Sequence, residues 1–272
     1  MKKVTKVLAV LCALAMLLVV AGCSRDEDAG DNTSKNSSKS ESQGADKADY
    51  NLITDGKLIM GTNAEFPPFE YFEGEEVVGV DASLMKEVAK RLGLTLEIKN
   101  MEFDSLGAAL DGNQIDLIAA GLTVDATRLE TMDFTEGYYD ASQTIIVKAD
   151  SAIKTKDDLK GKKIGVQQGT TGEKEAKALS PDGVSSLANG ALAVEALLSD
   201  KVDAVIIDNN PAIAYKTQHG DAITLIEGQF DAEEYAVAVK KGNKALLEAV
   251  DKALAEMKAD GTFDKLVGQF IK

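Results

Sequence analysis

The stretch LDGNQIDLI, residues 110–118, decides the fold, because LSDKVDAVI at 198–206 repeats its plan. Each reads as a helix end, a tight turn and a short apolar strand that begins at an aspartate. Apolar runs without alternation belong to strands covered on both faces, the habit of parallel α/β sheets. Five residues beyond Asp116 and Asp203 stand Gly121 and Asp208. Ligands of open α/β sheets gather beyond the carboxyl ends of strands, so both positions fall where a site is built. The duplication predicts two similar lobes facing across a cleft.

The flanking segments agree. Lys57–Gly61 reads as a strand, and Asp81-Ala82-Ser83 opens a helix with Leu84, Met85, Val88, Ala89 and Leu92 at helical spacing and Gly93 as its stop. Leu94, Leu96 and Ile98 alternate as a strand, and Asp104 or Ser105 caps a short helix through Leu110. Lys162–Val166 and Val202–Ile207 are further strands, with Ala193–Leu198 and Pro211–Gln218 as helices. Alternating helices and strands predict an α/β chain with mainly parallel strands. In GTNAEFPPFEY, residues 61–71, Pro67 and Pro68 end the first strand near Gly61 or Thr62 and leave a stiff, aromatic-rich loop.

The N-terminus is of a different kind. Met1-Lys2-Lys3, an apolar run over Val7–Val20 and then Ala21-Gly22-Cys23 form a secretory signal, too short for a comfortable membrane span. Removing residues 1–22 discards Cys12 and leaves Cys23 as the lone cysteine, so no disulfide within the chain is expected. It also takes the formal charge from −15 to −18 by removing Lys2, Lys3 and Lys6, which argues against nucleic acid and anionic lipid as partners. Residues 23–49 are polar or small and cannot bury enough apolar surface to offset ordering, so they read as a flexible tether.

Three loops concentrate chemistry: Gly121-Leu122-Thr123 through Arg128, Gln167 through Gly172, and Asp208 before Pro211. They offer a guanidinium, a glycine and hydroxyl loop leading into a helix N-terminus that suits an anion, and a carboxylate. Together they suit a zwitterion. Glu130 and Asp133 also stand near Arg128 as ion-pair partners, Asp208 can cap the helix at Pro211, and Phe103 can be core.

The chain resembles the polar amino-acid family of solute-binding proteins that serve ABC importers. The resemblance rests on NAEFPPFEY, VGVDASLMKEVAKRLGL, AAGLTVDATRLETMDFTEGYYDASQTIIV, LKGKKIGVQQGTTG, VDAVIIDN and ADGTFDKLVGQF, in that order. It implies an α/β fold of the two-lobed periplasmic-binding type, with two parallel-rich sheets joined by hinge crossovers near Tyr138–Ser142 and Glu233–Ala236. Lobe 1 would comprise 50–140 and 236–272, and lobe 2 would comprise 141–235. Arg128, with the N–H of Thr123 and with Thr171, would hold a ligand α-carboxylate, Asp208 and the Gly121 carbonyl the α-ammonium, and Phe66 and Phe103 would sandwich the side chain. Leu122 belongs to the same loop. Asn63 and Gln167 replace the aspartate and lysine of glutamine-selective relatives, and Glu65 is expected to supply charge for an arginine or lysine ligand, with glutamine next. Val20-Ala21-Gly22-Cys23 resembles a lipobox, which implies cleavage before Cys23 and its lipidation on the outer face of the cell membrane. The expected partners are a free amino acid and a membrane permease, for a monomer without metal or cofactor.

Two rivals share the scaffold. A dehydratase needs a placed acid or base, and the candidates are thin: Glu65, and His219 beyond the Pro211 helix. A sensor domain would continue into membrane and kinase segments, whereas this sequence ends at Lys272.

Overall fold

The computed structural model describes residues 49–271; the signal segment 1–22, Cys23 and the tether up to residue 48 lie outside the described residues. Two sheets organise the chain. The first has the strand order Thr95–Asn100, Lys57–Thr62, Leu117–Ile118, Ala238–Lys240, Met132–Phe134. The second runs Val184–Leu187, Ile164–Gln167, Ala204–Asp208, Tyr139–Lys148, Ile223–Ile226, with Ala232–Tyr235 attached to the same long strand.

The repeated motif does the same work in both. Asp116 accepts hydrogen bonds from the N–H groups of Ile53 and Ile59, each at 2.8 Å, and Asp203 accepts one from Lys163 at 2.8 Å. Each aspartate thus ties its strand to the parallel neighbour and satisfies backbone donors that burial would otherwise strand. The turns before them use Asn113 and Asp200 in the left-handed region, φ 53° and 60°, which such short polar side chains tolerate.

Parallel pairs join Lys57–Thr62 to both its neighbours and Ile164–Gln167 to both of its own. The remaining pairs of both sheets are antiparallel, because they involve the segments that pass between the sheets and return. Tyr139–Lys148 is the longest of these. Its residues 139–142 pair with Ala232–Tyr235, and 143–148 pair with Ala204–Asp208 and Ile223–Ile226.

Helix Val80–Arg91 buries Val80, Leu84, Met85, Val88 and Ala89 and packs on Thr95–Asn100 and on helix Lys244–Ala259. The chain leaves this helix through Gly93 at φ +69°, as its position predicts. Asp81 is not the cap of this helix. Gly79 holds that place, and Asp81 sits buried in the first turn with its carboxylate accepting from the Gly121 N–H and the Tyr138 hydroxyl. Helix Leu106–Asp111 covers the opposite face of the first sheet with Leu106, Ala109 and Leu110.

The FPPF stretch is more ordered than a loop. Glu65–Phe66, Glu70–Glu73 and Glu76–Val78 form a small antiparallel sheet in which Phe66 stands opposite Glu70 and Glu65 opposite Tyr71. Residues directly opposite in an antiparallel pair share a face, so Phe66 and Glu70 point one way and Glu65 the other.

Candidate ligand-binding cleft

The carboxyl ends of strands from both sheets converge on one cavity. Asn63 follows Lys57–Thr62, Gly121 and Thr123 follow Leu117–Ile118, Gln167 ends Ile164–Gln167 and Asp208 ends Ala204–Asp208; all line it, together with Phe66, Phe103, Arg128 and Thr171. Glu70 and Thr170 complete the wall. Two residues expected there are elsewhere. Glu65 is exposed, on the far face of its hairpin. Leu122 is buried in the first-sheet core with Ile118, Ala120 and Ala238 and does not line the cavity.

Arg128 lies on the short helix Ala126–Thr131, capped by Asp125, which accepts the N–H groups of Thr127 and Arg128. Its Nη1 donates to the Thr123 carbonyl at 2.6 Å and its Nη2 to the Gly169 carbonyl at 3.0 Å, while Nε lies 3.4 Å from Asp125 Oδ2. Neither Glu130 nor Asp133 is its partner; Asp133 pairs with Lys241. The guanidinium also sits over the Phe103 ring, 5.6 Å from its centroid. Burial presses its pKa down, and the nearby carboxylates of Asp125, Asp208 and Glu233 oppose that.

Asp208 is the residue before helix Asn209–His219, but its side chain makes no capping bond. Tyr235 donates to it at 2.6 Å, and burial next to Glu233 pushes its carboxyl up to about 7. Glu233 has its own role. One of its oxygens accepts from the hydroxyls of Thr123 (2.8 Å) and Thr171 (2.9 Å) and from Gln143 Nε2 (3.2 Å).

Asn63 and Gln167 meet inside the cleft. Asn63 Nδ2 donates to the Met101 carbonyl, which turns Oδ1 towards Gln167 Nε2, 2.9 Å away. Gln167 Nε2 also reaches the Ala188 carbonyl at 3.3 Å. Both amide hydrogens of Gln167 are therefore engaged, and the atom it offers a ligand is its carbonyl oxygen.

Glu70 is fully buried, and neither oxygen meets a donor among the described residues. The group it does meet is the carboxyl of Asp81, and burial with Asp81 and Asp208 nearby raises its pKa well above the ordinary value. Asp81 in turn accepts from the Gly121 N–H and the Tyr138 hydroxyl, each at 2.8 Å, and so fixes the Gly121 loop. Glu70 carried no sequence signal, since the hairpin that sets it opposite Phe66 is seen only in the structure; Thr170 had the signal of a hydroxyl cap, and its Oγ1 accepts the Glu173 N–H.

Gly121 itself has φ +52°, and a Cβ there would lie 2.7 Å from a Phe66 ring carbon. Gly121→Ala is expected to cost about 1–3 kcal/mol of stability through backbone strain and to displace the Phe66 ring into the cleft. A melting curve and a ligand titration check it; unaltered affinity would show that the ring position is immaterial.

A two-sheet α/β fold with a cleft at converging strand ends, lined by a guanidinium, carboxylates and two aromatic rings, is the two-lobed architecture of solute-binding proteins. Similarity to known proteins gives the family: residues 58–272 match the bacterial extracellular solute-binding proteins, family 3, and the chain belongs to that family. The arginine-binding extracellular protein ArtP of Bacillus subtilis is 39% identical over 215 residues, covering 77% of this chain and 84% of that protein. A probable histidine-binding protein of Campylobacter jejuni is 31% identical, covering 85% of this chain and 90% of its own. Solved structures of an ancestral arginine-binding protein, one bound to arginine and one to glutamine, are 41% identical with a TM-score of 0.77, covering 80% of this chain and 99% of theirs. The protein is accordingly an extracytoplasmic amino-acid-binding component of an ABC transporter and not an enzyme. Among the described residues no helix is long and apolar enough to cross a membrane.

Proposed function

We propose that the protein captures a polar amino acid, arginine or lysine before glutamine, between two lobes and delivers it to its permease from a lipid anchor. The charge inventory of the cleft is the observation that supports the basic preference. Arg128 and Asp208 match the α-carboxylate and α-ammonium of any amino acid, and Glu70 adds a buried carboxyl group whose charge, once its proton is given up, a cationic ligand balances. Gln167 points the same way, because a free carbonyl oxygen accepts from guanidinium, ammonium or carboxamide and offers a carboxylate nothing. Phe66 and Phe103 can flank an alkyl chain or stack on a guanidinium, a contact of about 0.5–2 kcal/mol. The ligands for which ArtP and the ancestral protein are named are in keeping with this reading.

The lobes are proposed as 50–140 with 236–272, and 141–235, moving about Tyr138–Ser142 and Glu233–Ala236. The division is supported by sheet membership, since those two segments pair with each other between the sheets. Closure about such a hinge is how this class of fold buries its ligand. The functional protein is proposed to be a monomer.

Calorimetric titration with the twenty amino acids tests the substrate. Binding of an apolar amino acid, with arginine, lysine and glutamine all silent, would overturn the reading. Anchoring is tested separately. Cys23→Ser is expected to move the protein from the detergent phase to the aqueous phase in a partition assay, and persistence in the detergent phase would end the lipoprotein proposal.

A further inference from the structure

The cleft contains a carboxyl group that no donor among the described residues satisfies. Glu70 is 0% exposed, faces the cavity and has no hydrogen bond to either oxygen from any N–H or hydroxyl. An ionised carboxylate in that setting would carry the full cost of desolvation without compensation. Its contact with Asp81 points to a remedy, because two carboxyl groups can bond to each other only when one holds a proton. Asp81 is the better acceptor of the two, already stabilised as an anion by the Gly121 N–H and the Tyr138 hydroxyl. The proton therefore resides on Glu70.

We propose that Glu70 is a specificity-determining residue that works through this proton: a cationic amino acid expels it to solvent and takes over its charge, whereas a neutral amino acid leaves it in place. The proposal rests on the amino-acid-binding reading above. With Glu70 protonated, Arg128 and Asp208 leave the cavity wall formally neutral, complementary to a zwitterion of no net charge. With Glu70 ionised the wall is formally −1, complementary to arginine or lysine. One cleft thus presents two charge states, and the ligand chooses between them.

The other titratable groups around Glu70 must be held apart from it. Asp81 and Tyr138 form one side, and Asp208 with Tyr235 and Glu233 forms the other, with Arg128 across the cavity. Any proton that Asp208 gives up to solvent on meeting a ligand's α-ammonium is released for arginine and glutamine alike. The difference between the two ligands isolates Glu70.

The test is calorimetric titration of the full-length protein in detergent with arginine and with glutamine at pH 7, in buffers of different ionisation enthalpy, which counts protons released on binding. Arginine is expected to release about one proton more than glutamine, and its affinity to rise up to about tenfold per pH unit relative to that of glutamine. Glu70→Gln, equal in shape and without the charge, is expected to abolish the difference and to weaken arginine more than glutamine. Arginine binding with the same proton count as glutamine overturns the inference alone. Failure of arginine to bind at all overturns the functional reading and the inference with it.

Discussion

Replacing Arg128 with alanine is expected to weaken amino-acid binding by about 2–5 kcal/mol, which is roughly 30-fold or more in Kd. The ligand's α-carboxylate would lose its paired donors in a site that excludes water, so most of the loss is the cost of an unpaired buried charge. The same substitution removes the bonds from Nη1 to the Thr123 carbonyl and from Nη2 to the Gly169 carbonyl, which reach from the loop after Leu117–Ile118 to the loop after Ile164–Gln167. Arg128→Lys separates the two contributions. It keeps the charge but not the two-pronged geometry, and is expected to recover only part of the affinity. An unchanged isotherm for Arg128→Ala, with melting intact, would remove Arg128 from the proposed clamp.

Asp208→Asn is expected to cost a similar 2–5 kcal/mol at pH 8 and less at pH 5. The pH dependence comes from the raised carboxyl, pushed to about 7 by burial and Glu233 from an ordinary 3.8. Between those two values the folded, ligand-free protein holds a proton at Asp208 that the unfolded chain has released. Stability from this group is thus present at acid pH and falls as pH rises through about 7, with Asp81, raised to about 6, acting in the same direction. Binding runs the opposite way, since an α-ammonium needs the ionised carboxylate. Wild-type affinity should climb with pH towards 8, and the Asp208→Asn profile should be flatter and lower. Equal affinities at pH 8 would show that Asp208 does not meet the ammonium.

The echo of LDGNQIDLI in LSDKVDAVI made Gly121 and Asp208 legible from the residues themselves, because a strand's length and direction fix where the residues beyond its end must lie. Arg128 was legible as the guanidinium of a loop constellation suited to a zwitterion, whereas the places of Phe66 and Phe103 came only through the family resemblance, and the structure lines the cavity with all three. Glu70 escaped for a physical reason. Pro67 and Pro68 announce the end of a strand but not the hairpin built around them, and without the pairing of Phe66 with Glu70 the carboxylate nearest Phe66 in sequence, Glu65, takes its place. Leu122 was carried into the site by its neighbours, although its side chain packs in the core with Ile118 and Ala120. The antiparallel half of both sheets was also hidden. Residues 139–148 pair with three different strands, and no single periodicity describes a segment whose covering changes along its length.

Glu233 bears on which molecules can compete for the cleft. A hydroxyl has one hydrogen, and those of Thr123 and Thr171 are both directed at Glu233, so in this arrangement their oxygens are left to accept. The Thr171 hydroxyl, which also accepts from Gln143 Nε2 at 3.1 Å, thus has no hydrogen left for the α-carboxylate proposed to lie at Arg128, while the end of the cleft proposed for the α-nitrogen, at Asp208 and the Gly121 carbonyl, offers acceptors. A free ammonium brings three hydrogens and a full charge to that end. The nitrogen of a peptide bond brings one hydrogen and no charge, and would leave a carboxylate buried without a counterion. On the proposed clamp, oligopeptides and N-acylated amino acids, which display the same side chains, are expected to bind far more weakly than free monomers, and competition titration with an N-acetylated ligand checks it.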